Sequence, residues 1–404
     1  VTTARERIDV AEAAALIAAH VPPRPTTRVP LDQAAGEYLR ETVHAERDQP
    51  PFDRVTMDGF AVRHAALAAG QRRFRVTAQQ AAGEPAATLA ADGDCVWIMT
   101  GAALPAGADT IVPIERTRRD GDTLVIEDGY AAAAGQFVHP TGSDHRHGAA
   151  LLAPGTHLGP PEMAVLTIGG TADVAIAARP AIAVIATGDE LVEAGAPLTP
   201  FRIRSSNDRA VIAALAAAGF RGTTRVHLPD NPAVLAREID RLLGLNDVLV
   251  LSGGVSLGEF DHVPRTLAAL GVEVVFHKVR QRPGMPFWFG MAPGGKPVFA
   301  LPGNPVSTLV CLVRYVRPAL LASLGSTAGG RHVALASAVD FTPDLTCFLP
   351  VRLLHADDGS VRAEPCPTNT SGDFVALAGT DGFVELPRGG RHFPAGHAAR
   401  FHAW

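Results

Sequence analysis

The chain has 404 residues, room for two to four domains and a large core, and its 47% hydrophobic and 19% charged residues are the balance of a soluble globular protein. A net charge of −5 argues against nucleic-acid binding, and no uninterrupted apolar run is long enough to span a bilayer. Of the 36 basic residues only Lys278 and Lys296 are lysines, so arginine carries nearly all the positive charge.

Cys95, Cys311, Cys347 and Cys366 stand without CxxC spacing. That predicts reduced thiols in a cytoplasmic protein rather than a disulfide framework or a zinc site. The first residues lack the basic-then-apolar pattern of a signal peptide.

In chain order, residues 8–20 have apolar positions at helical spacing behind Asp9, and a second helical stretch is expected from Leu31. Asp48-Gln49-Pro50-Pro51 breaks it. From about 72 to 130, β-like runs (FRVTAQ, CVWIMTG, TIVPIE, TLVIED) separated by Gly, Asp and Pro predict a small β-rich module. Residues 135–178 carry dense turn punctuation and one expected helix near 161–168.

At Pro180 the texture changes. A buried strand at 181–186 leads to Thr187-Gly188-Asp189-Glu190, and Ser206-Asn207-Asp208 reads as the N-cap of a helix that stops at Gly219. A strand ends at Leu228-Pro229-Asp230-Asn231, with a helix from Pro232. The run DVLVL (247–251) reads as a buried strand before Ser252-Gly253-Gly254-Val255-Ser256-Leu257-Gly258-Glu259-Phe260-Asp261. Further runs lead to Leu301-Pro302-Gly303-Asn304-Pro305 and a long apolar helix over about 305–324. Alternating strand and helix imply an open, mostly parallel sheet. From 328 onward, short alternating runs predict a separate all-β tail domain.

In such a sheet the loops after the strands share one edge. The loops at 187–190, 228–231, 252–261 and 302–305 therefore converge on one crevice. Small residues and hydroxyls after a parallel strand suit an anionic ligand such as a phosphate, although Gly-rich turns are also plain connectors. The crevice also collects Asp189, Glu190, Asp230, Glu259 and Asp261. Carboxylates so placed repel one another, and two remedies are a hard divalent cation such as Mg²⁺ or raised pKa values that make some of them proton donors. The plainer alternative makes several of them helix caps or solvated loop acids, with Asp230 as the cap of the helix that follows. No GxxxxGK[ST] phosphate loop, GxGxxG fingerprint or Gly-x-Ser-x-Gly elbow occurs. His145-Arg146-His147 reads as solvated loop, and Trp288 and Phe289 as core strand residues.

Taken together, Met57-Asp58-Gly59-Phe60-Ala61, Met99-Thr100-Gly101-Ala102, Gly107-Ala108-Asp109, Thr187-Gly188-Asp189-Glu190-Leu191, Ser206-Asn207, the 252–261 stretch, Pro283-Gly284 and Leu301-Pro302-Gly303-Asn304-Pro305-Val306-Ser307 resemble, in order and spacing, the MoeA or molybdopterin molybdenumtransferase family, which includes the E domain of gephyrin. The resemblance covers nearly the whole chain. It implies an α/β multidomain protomer: an elongated region (1–48 and 135–178), an inserted β module (49–134), a molybdopterin-binding α/β domain (179–327) and a C-terminal β-barrel (328–404). It further implies a homodimer with active sites shared between subunits, and contacts with the molybdopterin adenylyltransferase and with molybdoenzyme chaperones. The implied reaction inserts molybdate into adenylylated molybdopterin, with Mg²⁺ and release of AMP.

Matching family positions make Asp58, Thr100, Glu190, Asp230 and Asp261 the catalytic groups, with Glu190, Asp230 and Asp261 as metal ligands. Cofactor binding is expected from Thr187, Gly188, Asp189, Ser206, Asn207, Ser252, Gly253, Gly254, Ser256, Arg282, Pro302, Gly303, Asn304 and Ser371. Several positions depart from the family pattern. Arg282-Pro283-Gly284-Met285-Pro286 stands where the family has Lys-Pro-Gly-Lys-Pro, so Met285 lacks a cation where an oxyanion is expected. Arg54-Val55 replaces Asn-Ser, the stretch 137–144 differs, and Pro350 stands where many members have Arg. A non-catalytic paralogue that carries the pterin or finished cofactor is the alternative. A third reading, an adenylyltransferase, is opposed by the β module and tail domain.

Overall fold

The computed structural model describes residues 5–254, 262–327 and 329–404. Its centre is a seven-stranded sheet in the order Arg5–Ile8, Glu273–Val279, Trp288–Ala292, Lys296–Leu301, Val248–Ser252, Ile182–Thr187, Thr224–Leu228. Trp288–Ala292 runs antiparallel to both neighbours and the other strands share one direction, so the sheet is mostly parallel as expected. The two central strands, Ile182–Thr187 and Val248–Ser252, are buried at every residue because helices cover both faces. Ile182, Val184, Val248 and Val250 pack with Val211, Leu215, Val306 and Val310 on one side. Their alternates Ala183, Ile185, Leu249 and Leu251 pack with Leu235, Ile239, Leu242, Val263 and Leu267 on the other.

Two sequence expectations change. Residues 1–48 were expected to belong wholly to the elongated region, yet Arg5–Ile8 adds a parallel edge strand to the α/β sheet. The helix that follows, Val10–His20, buries Val10, Ala13 and Ile17 in the same core. A four-residue strand has too few positions to show alternation, and only its long-range partner at 276–279 gives it away. The helix expected from Leu31 is a single 3₁₀ turn, Leu31–Gln33. Gly36, at φ +82°, bends the chain, and its N–H donates to the Leu158 carbonyl at 2.8 Å.

The elongated region is zipped by antiparallel pairs between outgoing and returning chain: Thr26–Pro30 with Asp173–Ala177, Val43–His44 with Ala150–Leu152, and Arg54–Val55 with Val138–His139. It carries the inserted module, a six-stranded sheet in the order Thr110–Pro113, Gly59–Val62, Asp94–Ile98, Arg73–Gln80, Thr123–Ile126, Thr117–Asp120. At the C-terminal end, Thr346–His355, Val361–Pro365, Arg331–Leu335, Ala398–Ala403 and Gly382–Leu386 close into a five-stranded barrel, because the first strand also pairs with the last. Gln281 and Arg282 of the α/β unit extend it by pairing with Thr346 and Cys347.

The helix at Pro305–Ser323 is long and apolar enough to cross a membrane, but 72% of that span is buried inside the protein. It is a core helix, interrupted by a π turn at Leu312–Val316. Arg314 from that turn pairs with Glu385 of the barrel at 2.8 Å. Burial pushes the Glu385 carboxyl up, but hydrogen bonding from His402 and the Arg314 charge outweigh it and hold the group down at about 2. The four cysteines are free thiols.

Candidate functional site

The register of the sheet brings the strand ends together: Thr187 pairs with Leu228, Ala186 with Ser252, and Ser252 with Leu301. The loops that leave this edge interlock. Gly253 has φ +98°, and a Cβ on it would lie 2.7 Å from the Thr187 carbonyl oxygen. On Gly254, at φ +64°, a Cβ would meet Val263 at 2.8 Å. A Cβ on Gly303 would sit 3.6 Å from the Gly253 Cα, so the 252–254 and 302–305 loops run side by side. At Gly253 only glycine permits this approach to the Thr187 backbone.

Asn207, at the start of the helix Asn207–Ala217, ties these loops to a third. Its Nδ2 donates to Ser252 Oγ at 3.0 Å and to the Gly303 carbonyl at 2.7 Å. Its Oδ1 and the Oγ1 of Thr187 are buried and have no hydrogen-bond partner among the described residues. Such atoms are costly unless something completes them. Ser206 occupies the N-cap position, but its side chain makes no capping bond, contrary to the sequence expectation. The helix start is held instead by Asp208, fully buried, which accepts from Ser205 Oγ at 3.0 Å and from Arg225 Nε at 2.6 Å.

The carboxylates are partly gathered. The Asp189 N–H donates to Asp230 Oδ2 at 3.4 Å, and the Asp230 N–H donates to Asp189 Oδ1 at 3.3 Å. Asp230 is not the helix cap: the Asn231 side chain accepts from the N–H groups of Ala233 and Val234 and does that work. The Glu190 carboxylate lies over Gly188, where a Cβ would come within 2.5 Å of it. None of these three acids is ion-paired among the described residues, and no group of three metal-capable side chains occurs among them. Asp261, Ser256 and Glu259 lie outside the described residues.

Beside the 302–305 loop a cleft of about 890 Å³ opens between the α/β unit and the barrel, lined by Arg282, Met285, Asn304, Ser307, Pro350 and Ser371 among others. Asn304 Nδ2 donates to Ser371 Oγ at 2.7 Å, and the Val306 N–H to the Ser371 carbonyl at 3.0 Å. Ser371 thus joins the site from the barrel.

Asp58 and Thr100 form a separate pair in the inserted module. The Thr100 N–H and hydroxyl both donate to Asp58 Oδ1, at 2.6 and 2.7 Å. Thr100's hydroxyl, then its N–H, hold this exposed carboxyl below its ordinary value. Gly59 fixes its position, since a side chain there would collide with the Val112 carbonyl at 2.1 Å. Among the described residues neither Asp58 nor Thr100 hydrogen-bonds to the crevice loops.

Two contributors escape a sequence reading. Thr308, 1% exposed, donates its hydroxyl to the Pro302 carbonyl at 2.6 Å and shapes the loop from beneath. Its spacing, one helical turn after Asn304, is the signal that would find it. His227 Nε2 meets the Gly188 carbonyl at 2.9 Å across the sheet, a contact no local pattern announces.

Comparison with known proteins gives this arrangement its relatives. Residues 8–170 match the MoeA N-terminal region (domain I and II), 183–322 a probable molybdopterin binding domain, and 332–404 the MoeA C-terminal region (domain IV). A molybdopterin molybdenumtransferase of Synechocystis sp. is 37% identical over 398 residues, covering 98% of this chain and 100% of its own length. One from Staphylococcus aureus is 33% identical over 405 residues, covering 97% and 94%. The crystal structure of the molybdopterin biosynthesis moea protein from Pyrococcus horikosii superposes with a TM-score of 0.80 at 30% identity, over 98% of this chain and 99% of that one. Similar in sequence and in fold from end to end, the chain belongs to the MoeA family.

Proposed function

We propose that this protein acts in molybdenum cofactor biosynthesis, as a transferase that inserts molybdate into adenylylated molybdopterin and releases AMP. The observation that carries the reading is the pair of orphaned buried atoms, Thr187 Oγ1 and Asn207 Oδ1, at the convergent strand ends of a chain whose full-length relatives are molybdopterin molybdenumtransferases. A ligand rich in donors and acceptors completes them, as a pterin with its phosphate would. Glycine at 253 and 254 lets the 252–254 loop pack tightly against Thr187 and Val263 and so holds the strand ends together beneath that ligand.

In this reading a molybdate oxygen attacks the phosphoanhydride phosphorus, a new P–O bond forms as the P–O bond to AMP breaks, and AMP leaves. The molybdenum then gives up that transferred oxygen as two thiolate sulfurs of the pterin bond to it. The protein's part is to position both reactants and to offset charge. The 252–254 and 302–305 loops and Asn207 orient the pterin phosphate. The cleft beside Asn304 and Ser371 admits the oxyanion, with Arg282 as its cation. No three metal-capable side chains are grouped among the described residues, so Mg²⁺ would be held through one or two of Asp189, Glu190 and Asp230, none ion-paired among those residues, together with substrate phosphates and water. Once bound, the metal would neutralise phosphate charge at the edge, with Asp261 as a further ligand.

The working unit is a homodimer, in which Asp58 and Thr100 of one subunit complete the crevice of the other. Their lack of hydrogen bonds to the described crevice loops of their own chain supports this. The protein works in the cytoplasm, where its four thiols stay reduced. An adenylyltransferase must supply the substrate, and the product passes on to molybdoenzymes and their chaperones.

The test is AMP release from adenylylated molybdopterin with Mg²⁺, with and without molybdate. Native protein should release AMP in a molybdate-dependent way, and Asp230→Asn should reduce the rate by about a hundredfold or more. Tight pterin binding without AMP release from the native chain would leave a carrier instead of an enzyme.

A further inference from the structure

The cleft between the α/β unit and the barrel has one weakness as an oxyanion site. Among the described residues that line it, Arg282 is the single cation, because Met285 and Pro350 carry no charge. Arg282 is exposed, and its side chain makes no hydrogen bond or ion pair with any described residue. A guanidinium recognises an oxyanion through a planar fork of donors, so its value depends on where the backbone aims it. What sets that backbone is therefore the question.

The answer lies beneath the loop. Gln281, 1% exposed, donates its Nε2 to the Pro283 carbonyl at 3.1 Å and contacts the Cys311 sulfur at 3.4 Å. The Cys311 thiol in turn donates to the Gly284 carbonyl at 3.7 Å. The Oε1 of Gln281 accepts a hydrogen bond from the Tyr315 hydroxyl, itself 2% exposed. Gly284, at φ +94°, leaves room for this cluster, since a Cβ would meet Gln281 Nε2 at 2.6 Å and the Cys311 sulfur at 2.7 Å. Buried and hydrogen-bonded throughout, the chain of groups runs from Tyr315 to the consecutive carbonyls of Pro283 and Gly284.

Tyr315 reaches Gln281 from a π turn, Leu312–Val316. Such turns insert a residue into a helix and re-aim the side chains around it, and they recur at functional sites. Here the turn sends neighbouring residues to two different partners, the loop that lines the cleft and a barrel strand outside its lining. Tyr315 holds the loop wall, and Arg314 holds the barrel through Glu385 at 2.8 Å. The barrel wall also grips the loop directly, by the pairing of Gln281 and Arg282 with Thr346 and Cys347.

We propose that Tyr315 and Gln281 are positioning residues, which fix residues 282–285 so that Arg282 captures the oxyanion in the cleft. The proposal rests on the transferase reading for the identity of that oxyanion, molybdate. It departs from plain core packing in one respect. The Tyr315 ring stacks on Phe287 at a centroid distance of 4.9 Å, and this packing survives loss of the hydroxyl. Removing the hydroxyl alone therefore tests the aim of the loop while leaving the core filled.

The experiment uses the full chain and two equilibrium measurements, molybdate binding and binding of adenylylated molybdopterin, on native protein, Tyr315→Phe and Gln281→Leu. Hydrogen exchange over residues 278–287 is followed in parallel. Tyr315→Phe should weaken molybdate binding about tenfold, a loss expected when an anion clamp is misplaced, and leave pterin binding within twofold. Exchange in the loop should rise. Should Gln281→Leu fail to fold, Tyr315→Phe still decides the matter. Unchanged molybdate affinity in folded Tyr315→Phe overturns the proposal, as does an equal loss for both ligands. A native chain that binds molybdate but releases no AMP defeats the transferase reading alone, and the binding comparison still decides this one.

Discussion

Asp58 shows how little chemistry a single residue carries by itself. It is an exposed carboxylate, yet two donors from Thr100 converge on the same oxygen and keep it ionised to lower pH than usual. Replacing the hydroxyl while keeping the N–H, as in Thr100→Val, should move the acid limb of the pH–rate profile upward, toward the ordinary carboxylate value. The sign follows because the bonds favour the charged form, so removing one favours protonation. The maximal rate should fall about tenfold through misplacement of the carboxylate. An acid limb that stays in place would mean that another group governs it. At the same scale, Asn231 resolves the ambiguity over Asp230. Either residue could cap the helix from Pro232, and the side chain that does so is the amide, leaving the acid to face Asp189.

At the scale of elements, the crevice depends on how closely strand-end loops approach one another. Gly253 is the tightest of these contacts, with positive φ and the Thr187 carbonyl directly opposite. Gly253→Ala should lower stability by about 1–3 kcal/mol and weaken pterin binding together, since the strain falls on the loop that forms the site. Urea unfolding and pterin titration on the same variant check this, and full retention of both would show that the loop can move aside. The alternation of strands and helices over this unit is plain in the sequence because buried parallel strands are continuous apolar runs. The π turn was not legible, because residues 305–323 read as one apolar helix and only the partners of Arg314 and Tyr315 show the change of pitch.

For the whole molecule, Asp58 and Thr100 make no hydrogen bond to the crevice loops among the described residues, and the proposed shared-site dimer makes a sharp prediction. If each active site combines the inserted module of one subunit with the α/β unit of the other, two different inactive variants should complement. Asp58→Asn and Asp230→Asn protein, each nearly inactive, should recover about one quarter of native AMP release after unfolding and refolding as an equal mixture. Half the dimers are then mixed, and each mixed dimer has one intact site. No recovery beyond the sum of the two variants would place both residues in one subunit's site.

The sequence by itself determined the local and the chemical: the strand–helix alternation, the glycine-rich turns at strand ends, the carboxylates beside them and the order of motifs along the chain. These are legible because burial periodicity and turn chemistry act over a few neighbouring residues. Tertiary structure decided the rest. It placed Arg5–Ile8 beside a strand more than two hundred residues later in the chain, brought Ser371 to Asn304, and set Tyr315 under Gln281. Each of these is a contact between residues far apart in sequence. Nothing in the local pattern specifies such a partner, because it is chosen by which surfaces remain to be buried once the individual elements have formed.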